Sequence, residues 1–282
     1  MDKKVKTARL SIISNTSLIV LKLVAGFLSG SVSIISEAIH SAMDLLASII
    51  AFFAVKISDS PPDKEHPYGH GKFENVSGVI EAVLIFVAAG WIIFEAIEKL
   101  HHPGPINSIG IGAAVMFVSG LVNWFVARRL YKVARETDSI ALEADALHLK
   151  TDVYTSVGVG SGLLLIWATG YHFLDPVIAI LVAMFIIRES FHLLKNAYTP
   201  LLDVSLSEKE IAIIKECISE HSLTFHDLKT RKSGQFRFAD LHLEMDGATS
   251  LQKVHDVCDM IEEEIKKKIN NIDINIHVEP KE

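Results

Sequence analysis

His40-Ser41-Ala42-Met43-Asp44 and His148-Leu149-Lys150-Thr151-Asp152 are two copies of one pattern, each followed four residues on by a serine, Ser48 and Ser156. At a spacing of i, i+4 the His and Asp of each copy share one face of a helix. Both copies sit in apolar stretches long enough to cross a bilayer, where ionisable side chains are costly and mark function. Two imidazoles with two carboxylates make a four-ligand set suited to a divalent metal, Zn2+ above all.

The copies also agree in depth. Let one helix enter the membrane near Ser31 and the other enter from the opposite face near Ile140. At ~1.5 Å per residue, His40 lies roughly 13 Å and Asp44 roughly 20 Å from one face, and His148 roughly 12 Å and Asp152 roughly 18 Å from the other. In a core ~30 Å thick, His40 is then level with Asp152 and Asp44 with His148. Antiparallel neighbours would close one site near mid-membrane.

Working outward, six apolar stretches are long enough to span: roughly Leu10–Gly30, Ser31–Ile57, Phe73–Leu100, Ile106–Val126, Ile140–Thr169 and Pro176–Leu194. Gly30, His102-Pro103-Gly104-Pro105 and Gly170 to Pro176 separate three pairs of spans. Lys3, Lys4, Lys6 and Arg9 precede span 1; Lys64 and Lys72 lie between spans 2 and 3. Arg128, Arg129, Lys132 and Arg135 lie between spans 4 and 5, and Arg188 and Lys195 end span 6. The opposite loops are short and nearly free of Lys and Arg, so both termini are expected in the cytoplasm. Three spans per half invert the second half on the first, with the His-x3-Asp pattern on each middle span; inverted repeats with a midplane site are a common transporter design. Lys22, Glu37, Glu81, Glu95 and Asn123 are further polar residues within the spans. Lys22 is expected to pair inside the bundle or to snorkel, and Glu37 or Glu81 could relay protons.

The composition fits this reading. The chain has 282 residues, half of them hydrophobic, and a mean hydropathy of +0.34, which suits a membrane bundle with a soluble appendage. A net charge of -7 argues against nucleic acid as a partner. Cys217 and Cys258 are the two cysteines, and without a CxxC neither thiolate metal chemistry nor a disulfide scaffold is expected. The first apolar stretch reads as a retained span, not a signal peptide.

After Asp203 the character changes: residues 204–282 hold 11 Lys+Arg against 16 Asp+Glu. The pattern predicts a helix (Ser207–His221), a strand (His226–Lys232), a turn at Ser233-Gly234, a strand (Phe236–Met245), a helix (Leu251–Ile269) and a strand (Ile272–Val278). This order fits a small α+β domain of the ferredoxin-like or metallochaperone-like type. The expected architecture is therefore an α-helical membrane bundle of six transmembrane helices over residues 1–203, followed by a C-terminal α+β cytosolic domain over residues 204–282.

Two more groups carry metal-binding side chains. In the loop Asp63-Lys64-Glu65-His66-Pro67-Tyr68-Gly69-His70-Gly71-Lys72, Asp63, His66 and His70 could hold a metal, although His-x3-His alone is a weak signal. The C-terminal domain carries His221, His226, His242, His255 and His277, with Glu279. These are either surface histidines on an acidic domain or a cytosolic site that reports metal level or joins two protomers.

The chain resembles the cation diffusion facilitators, most closely the YiiP-type zinc/proton antiporters of bacteria, over about Lys6 to Pro280. The motifs that carry the resemblance are Gly30-Ser31-Val32-Ser33, His40-x3-Asp44, His66-Pro67-Tyr68-Gly69-His70-Gly71-Lys72, Ala144-Asp145-Ala146-Leu147-His148-x3-Asp152 and His226-Asp227-Leu228-Lys229-Thr230-Arg231. The resemblance implies a homodimer in the plasma membrane that exports Zn2+ from the cytoplasm in exchange for protons. It implies a transport site of His40, Asp44, His148 and Asp152, a loop site of Asp63, His66 and His70, and a two-metal cytosolic site of His226, His242, His255, His277 and Glu279. The chain departs from the YiiP type at His40 and Glu279, where that type has Asp. Efflux of Mn2+, Fe2+ or Cd2+ by the same fold and a membrane-anchored metal sensor are the alternatives. An intramembrane metalloenzyme would need an open coordination position and a general base, and no His-Glu-x-x-His occurs in any span.

Overall fold

The computed structural model describes residues 3–29, 32–101, 109–169 and 174–281, in two compact units, Met1–Tyr198 and Thr199–Glu282. Among the described residues the first unit holds six helices: α1 (Lys3–Ser29), α2 (Val32–Ser58), α3 (Lys72–His101), α4 (Ile109–Thr137), α5 (Ile140–Thr169) and α6 (Leu174–Tyr198). The separators Gly30, His102 to Pro105 and most of the Gly170–Pro176 stretch lie outside the described residues.

This unit exposes large apolar side chains on its outside and buries polar ones among the apolar core within. Val87, Trp91, Phe94, Leu181 and Phe191 are exposed, whereas Ser11, Ser48, Asn75, Glu81, Asp145 and Ser190 are fully buried. In water such a partition would be costly; it suits helices solvated by lipid, whose polar groups find partners within the bundle. Two stretches among the described residues, Lys3–Val24 and Lys72–Glu98, meet the length and composition expected of a membrane-crossing helix. Contacts between helices use small residues, as membrane bundles do: Ala8, Ala47, Ala51, Ala82, Ala144 and Ala146 have no exposed surface. Gly78 marks a close approach, since a Cβ there would stand 2.8 Å from Ile140 Cγ2 and 2.9 Å from Ala197 Cβ.

The helix that carries the fourth apolar stretch runs past it: the basic run Arg128 to Arg135 forms the last turns of α4. Leu130, Val133 and Ala134 on this stretch are buried, so the apolar face continues past the apolar composition. The helix stops at Asp138, whose φ of 53° is left-handed, and Ser139 N–H donates to Ala134 O at 3.0 Å. That pairing is the Schellman closure, with Asp standing where glycine is usual. Ser139 then opens α5 directly, accepting Leu142 N–H on its hydroxyl at 3.4 Å.

The second unit runs α7 (Glu208–Glu220), β1 (Thr224–Ser233), β2 (Phe236–Met245), α8 (Leu251–Lys268) and β3 (Ile272–Pro280). A capping box starts α7: Glu210 N–H meets Ser207 Oγ, while the Glu210 carboxylate accepts from Ser207 N–H at 3.0 Å. Gly234, with φ 57°, turns β1 into β2 through the short loop that pairs Ser233 with Phe236. β2 lies in the middle, antiparallel to β1 and parallel to β3, the latter reached through the α8 crossover. Ala239, Leu241 and Leu243 face Ile214, Ile218, Ile261 and Ile265 of the helices in one core, which leaves Asp240, His242 and Glu244 on the opposite face of the strand.

Candidate metal sites

The two His-x3-Asp copies meet. His148 Nε2 on α5 lies 3.2 Å from Asp44 Oδ1 on α2, and both residues are buried. Asp152, one turn further along α5, completes a group in which one ligand atom from each residue lies within 4.8 Å of the others. His148 Nδ1 is buried and has no hydrogen-bond partner among the described residues. His40 sits on α2, four residues before Asp44; its side chain, like those of Glu37 and Glu95, lies outside the described residues.

A second layer of polar groups holds this pair of helices. Asp145, one turn before His148, accepts on Oδ1 from Ser11 Oγ at 3.1 Å and from Ser48 Oγ at 3.0 Å. Asn15 Nδ2 donates to Ser48 Oγ at 2.8 Å and to Asp44 O at 3.3 Å. Lys22 is buried and donates to Ser41 Oγ at 2.7 Å. Glu81 on α3 is fully buried and accepts from Ser77 Oγ at 3.3 Å. The sequence reading missed the network around Asp145. Its signal was present, as an acid three residues before His148 in the same apolar helix.

In the loop between α2 and α3, Asp63, His66 and His70 also come together. Pro67 and Gly69 shape a turn closed by Gly69 N–H to His66 O at 2.9 Å, which folds both imidazoles over one carboxylate. His66 Nδ1 lies 3.5 Å from Asp63 Oδ1 and His70 Nε2 lies 3.4 Å from Asp63 Oδ2. The His66 backbone N–H, and after it that of Glu65, holds the Asp63 carboxyl below the usual aspartate value.

In the second unit the strand register does the assembling. A bulge between His226 and Lys229, with Asp227 at a left-handed φ of 50°, brings His226 opposite His242; His242 in turn pairs with His277. Three imidazoles thus stand level across three strands, with ring centroids 5.2 and 4.9 Å apart. Glu279 reaches into the row, 3.0 Å from His242 Nδ1 and 3.3 Å from His226 Nε2. His226, His242 and Glu279 meet the spacing of a metal-binding group. Glu244, 3.4 Å from His226 Nδ1, was missed, although it shares the His242 face by strand alternation. His255 does not join this row: it is exposed on α8 and lies 3.5 Å from Asp259. His221 pairs with Glu264 at 2.8 Å.

Residues 8–202 match the family model of the cation efflux transmembrane domain, and residues 206–281 that of the cytoplasmic domain of cation efflux proteins. The chain belongs to the cation diffusion facilitator family. Cation diffusion facilitators are membrane transporters, not enzymes, and the helical unit is the family's transmembrane domain. The chain is 37% identical over 265 residues to transporter sll1263 of Synechocystis, described as uncharacterized, covering 93% of this chain and 86% of that one. It is 32% identical over 275 residues to the cation-efflux pump FieF of Shewanella oneidensis, covering 97% and 93%. It is 31% identical over 267 residues to FieF of Salmonella paratyphi A, covering 94% and 89%. A solved chain of CzrB is 33% identical over 28% of this chain and 100% of its own length, at a TM-score of 0.26.

Proposed function

We propose that this cation diffusion facilitator exports divalent metal, Zn2+ above all, from the cytoplasm in exchange for protons. The observation that carries the reading is the meeting of Asp44, His148 and Asp152, supplied by two helices, with Asp44 and His148 buried and Asp152 partly buried inside a bundle with an apolar exterior. His40, on the Asp44 face of α2 by its spacing, would be the fourth ligand. Two imidazoles and two carboxylates can replace the hydration shell of Zn2+. Metal requires deprotonated ligands, so protons and metal compete for the same atoms. The bundle is tightly packed beside the site: Ala47, Ser48 and Ala51 on α2 and Leu142, Asp145 and Leu149 on α5 have no exposed surface. Release to alternate sides then needs one group of helices to rock against another.

Six spans, a transport domain over residues 1–203, a cytosolic domain over residues 204–282 and both termini in the cytoplasm belong to the same reading. So do a plasma-membrane location and a homodimer. Asp63, His66 and His70 would form an accessory loop site. His226, His242, His277 and Glu279 would hold regulatory Zn2+, for which imidazole nitrogens with one carboxylate are a fitting donor set. His255 would enter such a site only from a different position or a second protomer.

The test is flux into liposomes that contain this protein alone, with Zn2+, Mn2+, Cd2+ and Fe2+ offered in turn across a pH gradient. Zinc uptake that follows the gradient is the expected result. Binding without flux would leave a membrane-anchored sensor, and a preference for Mn2+ or Fe2+ would correct the metal.

A further inference from the structure

The serine that follows each His-x3-Asp copy has no part in the four-ligand set, yet Ser48 is fully buried and bonded on three sides. Its hydroxyl meets Ser11 Oγ at 2.8 Å, Asp145 Oδ1 at 3.0 Å and Asn15 Nδ2 at 2.8 Å. Asp145 takes both serine hydroxyls on one oxygen. Asn15 continues the chain to the backbone carbonyl of Asp44 itself, at 3.3 Å. The four side chains come from three helices: Ser11 and Asn15 from α1, Ser48 from α2, Asp145 from α5. Each lies within one helical turn of a proposed ligand or bridges to such a residue.

We infer that Asp145 is a positioning residue that fixes the separation of α2 and α5 at the metal site, through Ser11, Ser48 and Asn15, and so favours a small divalent cation over a larger one. The inference rests on the transport-site reading above. Its physical basis is simple. Ligands held by one helix each can adjust to any ion if the helices slide, so selection by size requires the helices to be tied. Small apolar contacts such as Ala47 and Ala144 allow close approach but resist sliding only weakly, since dispersion has no direction. Hydrogen bonds from α1 and α2 to one carboxylate oxygen on α5 fix the geometry. Residues that orient metal ligands in this way are commonly worth about 10–100-fold in metal affinity.

The connection requires only an acceptor at Asp145 Oδ1. Asp145→Asn retains that acceptor; Asp145→Leu removes it; Ser48→Ala removes one strut and little volume. The full-length protein, reconstituted in liposomes, is assayed for Zn2+ and Cd2+ flux, with folding checked by thermal unfolding in detergent. In Ser48→Ala and Asp145→Leu, the ratio of Cd2+ to Zn2+ transport should rise on the order of 10-fold, mostly through lost Zn2+ affinity. Asp145→Asn should keep the ratio of the parent protein. An unchanged ratio in Ser48→Ala overturns the inference even if Asp145→Leu fails to fold. An Asp145→Asn ratio that moves with Asp145→Leu also overturns it, because the charge and not the tie would then matter. Asp44→Ala, run in parallel, separates the two readings: retained Zn2+ flux in that variant sinks the transport site itself.

Discussion

Asp44 Oδ1 and His148 Nε2 stand 3.2 Å apart, although 104 positions separate them in the chain. This contact joins the two halves of the molecule at their matching motif copies. Asp152 sits on the same face of α5, one turn from His148, so its carboxylate converges on that contact. Asp152→Ala should bring Zn2+ flux to background, since alanine keeps the helix and removes a ligand. Immunoblots of membrane fractions, run beside the liposome assay, should show unchanged insertion. Undiminished flux would remove the midplane site from the mechanism.

The row of imidazoles across β1, β2 and β3 predicts metal-linked stability for the fragment 199–282. A ligand that binds the folded form alone at 100 times its Kd stabilises by about 2.7 kcal/mol. His242 is central, between His226 and His277 and closest to Glu279. His242→Ala should abolish most of the Zn2+-dependent rise in Tm. His255→Ala should leave it near the parent value in this fragment, because His255 faces Asp259 on α8. A Tm that ignores zinc in the parent fragment would reduce the row to surface decoration.

What the sequence disclosed and what it withheld divide along physical lines. β2 could be read to the residue because Ala239, Leu241 and Leu243 alternate with polar neighbours and a pleated strand has no other way to bury them. The start of α7, expected at Ser207, is set by a local device, the capping box of Ser207 with Glu210. The apolar span ending near Val126 did not disclose the end of α4, because composition turns basic at Arg128 while the buried face of Leu130, Val133 and Ala134 runs on. The i, i+4 spacing of His148 and Asp152 is a property of one helix, so it was readable. The cradle around Asp145 depends on which helices are neighbours, and no local pattern states that. His255 shows the same limit: histidine content does not tell which residues the fold turns toward the strand row.

Acid should loosen the C-terminal unit in a defined way. Burial pushes the Glu210 carboxyl up, but hydrogen bonds from Ser207 and Arg237 more than offset this and hold it below the usual glutamate value. A carboxyl depressed in the folded state adds stability above its unfolded value of about 4.5, and that stability is lost as pH falls through the lower folded value. Urea midpoints of the fragment should therefore fall below about pH 4.5. Glu210→Gln should lower the midpoint at pH 6 and flatten the decline, with Asp227 and Glu264, also held low, keeping the remaining slope. A decline as steep in Glu210→Gln as in the parent would show that this capping carboxylate is not among the groups responsible.

The start of the bundle contains the most heavily buried ion pair among the described residues. Lys4 Nζ lies 3.0 Å from Glu74 Oε1 and also pairs with Asp59; Lys4 and Glu74 are both almost fully buried. Glu74 further accepts from Ser58 Oγ at 2.7 Å and from Ser139 Oγ at 2.5 Å, and so joins α1, α2 and α3 to the first turn of α5. Its charge also stands at the N-terminus of α5, 3.4 Å from Ala141 N–H, where the helix dipole favours an anion. Removing one member of a buried pair costs about 3–5 kcal/mol where the other is left uncompensated, and less where, as here, Lys4 keeps a second carboxylate in Asp59. Glu74→Leu should therefore lower the thermal stability of the full-length protein in detergent by several degrees or more. Glu74→Gln, which keeps an acceptor and a donor group for the two serines, should do less. Adding Lys4→Met to Glu74→Leu should recover part of the loss, since the buried ammonium that lost one of its two carboxylates is gone, with a coupling of about 0.5–3 kcal/mol in the double-mutant cycle. Strictly additive single and double variants would mean that the two charges do not stabilise one another, and the junction of four helices would then rest on the hydrogen bonds to Glu74 and on its other contacts.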